Sequence, residues 1–542
     1  MSASTKKKLR AAERAEKLTE KQLTEQKEAK KLKLLTTIFV VVLAVMVCFA
    51  AVVGVTKTIE GKGIREKNTV AVTIGEHKLS NAELNFYYID AVNNFYSNYG
   101  SYAVLFGLDL TQPLDQQITD EETGRTWADD FVDSAVENAK AIYALNDAAA
   151  AEGYALTAEE LADVDTIIEN NEFYALYYYG YSDLNTYLKA MYGRGADEAL
   201  MRKYVEMQLL AQSYQNHFSS TLTYEDADLR AAEAENYALY SNFSYNYYYL
   251  NVNNFVEAPD AIDSADYTEE QLAQGTAAAE EAAKALTAKE INTVEALNAA
   301  IAALPQNADN ASAASSAYTD VTYSSISSLY VDWVTDASRK AGDVAYFANT
   351  STTDETTKVN GYYVVMFTGS NDNNFPLVNV RHILAGFEGG TTDSTTGETI
   401  YSDEEKATAK AEAEALLGLW EIGDKSEESF ATLANENSDD GDGTTGGLYT
   451  DIYPGQMVTN FNDWCFDASR KAGDTGIVES SYGYHVMYFS GESDVLYRDF
   501  LIENDLRDAA LEEWYHALVE SYTSELGSTK YMNTDLVLSS GT

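Results

Sequence analysis

Cysteine, proline and histidine are almost missing from this chain: 542 residues contain 2 Cys, 5 Pro and 5 His. One of the cysteines, Cys48, lies inside an apolar run, so no disulfide to Cys465 is expected and stability does not rest on cross-links. No Cys-x-x-Cys pair or Cys/His cluster occurs, so neither a metal nor a cofactor is expected. Positive charge is also short, with 37 Lys+Arg against 86 Asp+Glu and a net charge of −49. Phosphate contacts need Lys and Arg, which argues against nucleic-acid binding and favours neutral or cationic partners. The cations present are concentrated: residues 1–33 hold 11 Lys/Arg against 5 Asp/Glu, so the rest is more acidic than the total suggests.

Hydrophobic residues make up 45% of the chain and tyrosine is abundant at 40. That composition supplies large cores, and the length suits roughly three or four domains. Tyr adds apolar area with one polar handle, which fits packed faces and peptide-binding surfaces. Leu34 to Val55 is an uncharged run of 22 residues. As a helix it would rise about 33 Å, enough for a bilayer core. It is read as a single transmembrane helix, an uncleaved anchor in the plasma membrane. The Lys/Arg bias across it is weak, but the basic tail at 1–33 favours an N-terminus in the cytoplasm and a body outside.

Beyond the run, Val70 to Ile74 reads as a short strand followed by a turn at Gly75-Glu76. Ser80 with Glu83 forms a capping box, and Leu84, Tyr87, Tyr88 and Ala91 then share one helical face. Helical patterns continue at 126–152, 157–170, 182–192 and 195–219, with Thr157 and Glu160 as a second capping box. The region 57–235 is therefore expected to be mostly helical. Residues 497–526 show one more helical period, expected to pack its apolar face back on that region within a closing segment, 495–542.

An internal repeat organises the remainder. Asp332-Trp333 through Ala341-Gly342-Asp343 matches Asp463-Trp464 through Ala472-Gly473-Asp474, and Gly361–Phe367 matches Gly483–Phe489. The chain thus holds two copies of one α+β unit, at about 240–370 and 377–492.

The second copy carries the chemistry. His382 stands in Val380-Arg381-His382-Ile383-Leu384 and His485 in Tyr482-Gly483-Tyr484-His485; between them lie Asp440, Gly446-Gly447, Met457 and Phe461. This order and spacing resemble the parvulin family of peptidyl-prolyl isomerases. The resemblance implies an antiparallel sheet wrapped by helices and a shallow pocket that receives proline. It also implies catalytic roles for His382, Asp440 and His485, and substrate contacts from Met457, Phe461 and Tyr482, with Ser480 leading to the second histidine. No metal is implied. The sequence departs from the family at its glycine motif, where Gly446-Gly447-Leu448-Tyr449-Thr450 replaces Gly-Gly-Asp-Leu-Gly.

In the first copy Tyr363 stands where His485 does, and Tyr247-Tyr248-Tyr249-Leu250 takes the place of Arg381-His382-Ile383-Leu384. Ile326 and Tyr330 align with Met457 and Phe461, and the Gly-Gly pair is missing, so this copy is expected to be non-catalytic, a spacer or peptide-binding surface. The order of anchor, helical domain, two parvulin-like units and returning helix resembles the PrsA/SurA-type extracytoplasmic foldases. The fold class expected is α+β: a helical chaperone-like domain, two parvulin-like units and one N-terminal transmembrane helix. The function implied is isomerisation of X-Pro bonds in unfolded or secreted polypeptides. A catalytically silent holdase is the alternative, and a structural or adhesive surface protein a third. The sequence does not indicate an oligomeric state.

Overall fold

The computed structural model describes residues 61–536 apart from 258–266, 311, 354–355, 395–396 and 442. The basic tail at 1–33 and the apolar run at 34–55 lie outside the described residues. No helix among the described residues is long and apolar enough to cross a membrane. The expected fold class is corrected accordingly: the described residues form a mixed α/β protein with no helix long and apolar enough to cross a membrane. The reason is visible in Trp127–Glu152, which is 26 residues long. It buries one stripe and carries Asp129, Asp130, Asp133, Glu137, Lys140 and Asp147 along its length.

The chain forms two compact units. Of the described residues, one contains those from 61 to Leu222 together with those from Ala510 to 536; the other is Thr223–Ala509. In the first, the hairpin of Val70–Ile74 and His77–Ser80 leads directly into the helix Asn81–Tyr99. Ser80 and Glu83 close the capping box there, and Thr157 and Glu160 close the second at Ala158–Phe173. Val72, Ile74 and Leu79 of the hairpin pack with Leu84, Tyr87, Tyr88 and Val92, and with Phe131, Val132 and Ala135 of Trp127–Glu152. Farther along the same unit, Trp514 stacks on Phe218 with ring centroids 4.0 Å apart.

The closing segment departs from its helical period. The helix Tyr497–Glu520 ends there, and Ser524–Leu526 becomes a strand paired antiparallel with Val72–Ile74. The edge of that hairpin offers backbone donors and acceptors, and pairing them outweighs continuing the helix. Asn81 fastens the residues beyond this strand. It is fully buried; its Nδ2 donates to Thr69 O at 2.8 Å and Ser528 O at 2.7 Å, and its Oδ1 accepts from Tyr531 N at 3.0 Å. Asn81→Leu keeps the volume but leaves Ser528 O and Tyr531 N without their partner, while Thr69 O keeps the backbone N–H of residue 81. It should cost about 2–4 kcal/mol in denaturant unfolding; an unchanged midpoint would contradict the role of this side chain.

The second unit contains two four-stranded antiparallel sheets of one topology. In the first copy the spatial order is Ser316–Thr322, Asn242–Asn251, Thr356–Asn371, Val344–Thr353. In the second it is Leu448–Ile452, Pro376–Gly386, Gly483–Leu496, Thr475–Glu479. Successive side chains alternate between faces. Ile383, Ala385, Val486 and Tyr488 therefore meet Ala413, Leu416, Trp420 and Phe430 of the helices Asp403–Ile422 and Glu427–Asn437. Val378, Val380, Met487 and Phe489 face the other way, against Phe461 and Cys465 of Thr459–Cys465.

The repeated Asp-x-Ser-Arg-Lys-x-Gly-Asp stretch is a structural loop in both copies. Ser338 N donates to Asp336 Oδ1 at 2.8 Å and Ser469 N to Asp467 Oδ1 at 2.9 Å. Gly342 and Gly473, both at positive φ, donate to Phe367 O and Phe489 O at 2.8 Å. Arg470 lies over Trp464 at 3.9 Å, as Arg339 lies over Trp333 at 5.1 Å.

Candidate active site

In the second copy the strand Pro376–Gly386 pairs with Gly483–Leu496 so that His382 opposes Met487 and His485 opposes Leu384. The two histidines are thus diagonal neighbours on one face. Gly447 fixes the near edge: its carbonyl accepts from His382 N at 2.9 Å. A Cβ on Gly447, which sits at φ 65, would overlap the His382 carbonyl oxygen, and one on Gly446 would meet Ala431 Cβ at 2.6 Å. Both glycines are therefore required, whereas the turn closes with Leu448-Tyr449-Thr450 after them.

A continuous hydrogen-bonded chain runs across the two rings. Ser480 Oγ is 2.8 Å from His485 Nε2, and His485 Nδ1 is 3.1 Å from His382 Nδ1. His382 Nε2 is 3.1 Å from Asp440 Oδ2, which also accepts from Tyr449 Oη at 3.0 Å. One assignment of protons satisfies every link. The ionised Asp440 accepts from His382 Nε2–H, leaving His382 Nδ1 to accept from His485 Nδ1–H. His485 Nε2 then accepts from the Ser480 hydroxyl, whose oxygen takes Tyr482 N–H at 3.1 Å. Asp440 is held from its own side as well, its N–H donating to Ser438 Oγ at 3.2 Å.

Both rings are buried, at 3% exposure for His382 and 6% for His485. Burial pushes the His382 imidazole below the ordinary histidine value, with Asp440 opposing the shift. Burial, reinforced by His382, pushes His485 down to about 4. The unfolded chain takes up these protons from about pH 6.5 downward and the folded chain does not. The unfolded state then binds more protons, so stability falls with pH between about 6.5 and 4. His485 alone contributes up to about 3 kcal/mol to that loss. Urea unfolding across this window should show the slope, and His485→Gln should flatten it; an unchanged slope would refute the assignment.

The histidine face forms the floor of a cavity of about 280 Å³ lined by His382, His485, Asp440, Tyr449, Gln456, Met457, Val458, Phe461 and Tyr482. Phe461 stands edge-on to both imidazoles, 5.4 Å from each, and Tyr449 stacks on His382 at 5.0 Å. Met457 is half-buried and Tyr482 is 64% exposed at the mouth. The structure thus brings all six residues singled out above, His382, Asp440, His485, Met457, Phe461 and Tyr482, to one cavity. Sequence reasoning missed Tyr449, which lies in the altered glycine motif. Its distance from Gly447 along an extended strand was the available signal.

These observations bear directly on kinship. Residues 362–492 match the family model described as the PPIC-type PPIase domain. The second copy is a parvulin-type domain. Over 113 residues the chain is 34% identical to the foldase protein PrsA 1 of Listeria innocua, a match covering 21% of this chain and 30% of that protein. Among solved structures it is similar to the peptidylprolyl isomerase PrsA of Bacillus anthracis, at 23% identity and TM-score 0.18, over 28% of this chain and 59% of that one. The corresponding values for PrsA of Bacillus cereus are 21%, 0.17, 28% and 50%. The chain therefore spans less than a third of the curated relative and half to three fifths of the solved chains.

The first copy keeps the sheet of the parvulin domain but fills the site. Its register opposes Tyr247 to Val365 and Tyr249 to Tyr363. Matched with the second copy, Tyr247 rather than Tyr248 occupies the position of His382, one residue away from the alignment expected above. Three successive tyrosines carry no polarity signal, so only the sheet register sets which of them faces this side. Tyr247 and Tyr363 lie 5.8 Å apart, and Tyr330, in the place of Phe461, is 5.8 Å from Tyr363 and 5.7 Å from Tyr245. Aromatic rings occupy the space that the histidine chain and cavity take in the other copy.

Proposed function

We propose that this protein is a peptidyl-prolyl cis-trans isomerase that acts as an extracytoplasmic foldase on unfolded polypeptides containing X-Pro bonds. The observation that carries this reading is the Ser480–His485–His382–Asp440 chain ending at the rim of an apolar cavity in a parvulin-type domain. Prolyl isomerisation breaks no bond; its barrier of about 18–20 kcal/mol is lost amide resonance. Catalysis requires only that the twisted amide be bound better than either planar form. Met457 and Phe461 would hold the pyrrolidine ring in a dry pocket, which favours the less charge-separated twisted state. Asp440, fixed by His382 and Tyr449, would set a negative charge beside the prolyl carbonyl oxygen and disfavour the resonance form that places negative charge there. The buried neutral histidines would hold that carboxylate in place; no nucleophile is needed.

A silent holdase is the second reading, favoured by the tyrosine-filled first copy and by the altered glycine motif. Exchange NMR on a panel of X-Pro peptides with the full chain separates the two. Acceleration that falls in Phe461→Ala supports the isomerase. A folded protein that accelerates no peptide sinks it and leaves the holdase.

A further inference from the structure

The cavity is electrostatically one-sided. Among the described residues, Asp440 is the only carboxylate lining it, and no Lys or Arg lines it. The nearby cations are engaged elsewhere: Arg381 bonds Glu427 at 2.8 Å and the carbonyls of Thr445 and Gly446, and Lys406 lies 3.7 Å from Glu479. The two imidazoles on the floor are neutral, so they do not offset Asp440. The Asp439 carboxylate is turned away, accepting from Gly386 N at 2.8 Å. At the mouth, Tyr449 and Tyr482 present rings at 37% and 64% exposure. A carboxylate flanked by accessible aromatic rings is the arrangement that attracts a cationic side chain, by charge and by the ring faces. It repels an acidic one.

We infer that this site selects substrates with Lys or Arg beside the proline, and that Tyr449 is the positioning residue that fixes Asp440 for this selection. The inference rests on the isomerase reading above and names the substrate class of the same site. Tyr449 does so from the altered glycine motif: its hydroxyl holds Asp440 Oδ2 and its ring stacks on His382, so the carboxylate stays at the rim.

The test uses the full chain and three peptides identical except for Lys, Ala or Glu before proline. Both turnover, by exchange NMR, and affinity, by chemical-shift titration, are measured. The Lys peptide should exceed the Glu peptide by about 10-fold in kcat/KM and in affinity at low salt. That ratio should shrink several-fold at about 1 M salt, where the screening length is near 3 Å. Asp440→Asn should bring the ratio close to one whatever it does to the absolute rate. Tyr449→Phe, which keeps the ring and releases the carboxylate, should lower the ratio about threefold without changing Tm. Equal Lys and Glu values in the native protein, or a ratio that survives Asp440→Asn, overturns the selection. A ratio unmoved in Tyr449→Phe overturns the positioning role. If no peptide is turned over, the isomerase reading fails, and the affinity ratio still decides the selection.

Discussion

His485→Ala should lower kcat/KM for X-Pro isomerisation about 10- to 100-fold in a protein that still melts cooperatively. The substitution removes the middle of the hydrogen-bonded chain, leaving His382 Nδ1 and Ser480 Oγ without their partner. A buried polar group left unpaired costs about 1–3 kcal/mol. If that cost falls on the arrangement that stabilises the twisted amide, each 1.36 kcal/mol is a factor of ten in rate. Ser480→Ala trims only the outer end of the chain, so it should cost less than about tenfold. The two variants thus grade the network by distance from Asp440, and exchange NMR with a thermal melt on each reads the result. Equal activity in His485→Ala and the native chain would mean that the histidines serve the sheet and not the reaction.

Gly447→Ala should destabilise the parvulin domain by about 3 kcal/mol or more. Two costs combine: a left-handed backbone for a residue with a Cβ, and overlap of that Cβ with the His382 carbonyl. The first alone is roughly 1–2 kcal/mol. Gly455→Ala isolates it, because Gly455 has φ 86 and open space where a methyl group would stand. That variant should lose only about 1 kcal/mol in the same urea titration. Similar losses in the two would remove the close approach of Gly447 to the histidine strand as a requirement of the fold. The absent Asp and third glycine of the motif are consistent with this: Leu448 and Tyr449 follow Gly447 as ordinary strand residues opposite Arg381 and Val380.

Much of the candidate site was legible in the sequence. His382, Asp440, His485, Met457 and Phe461 stand at family spacing, and the fold places them around one cavity. Local signals also read true where their physics is local. The capping boxes at Ser80–Glu83 and Thr157–Glu160 join groups three residues apart, and both are formed. The repeated Asp-x-Ser-Arg-Lys-x-Gly-Asp loop is turned by hydrogen bonds from its own Ser and Lys amides to its own Asp carboxylates in each copy.

Three features depended on partners distant in the chain. Ser524–Leu526 looked helical by period and is a strand, because the edge it completes lies about 450 residues earlier. Tyr247, not Tyr248, takes the position of His382, since register alone sets the phase of a run of tyrosines. Tyr449 reaches Asp440 only because the strand after Gly447 is laid beside Pro376–Gly386. The sequence by itself determined which side chains are candidates for the site, because residue type and spacing encode the caps, turns and strand alternation that present them. The tertiary structure decided which of those side chains meet, since sheet pairing joins segments whose mutual preference is not written in either one alone.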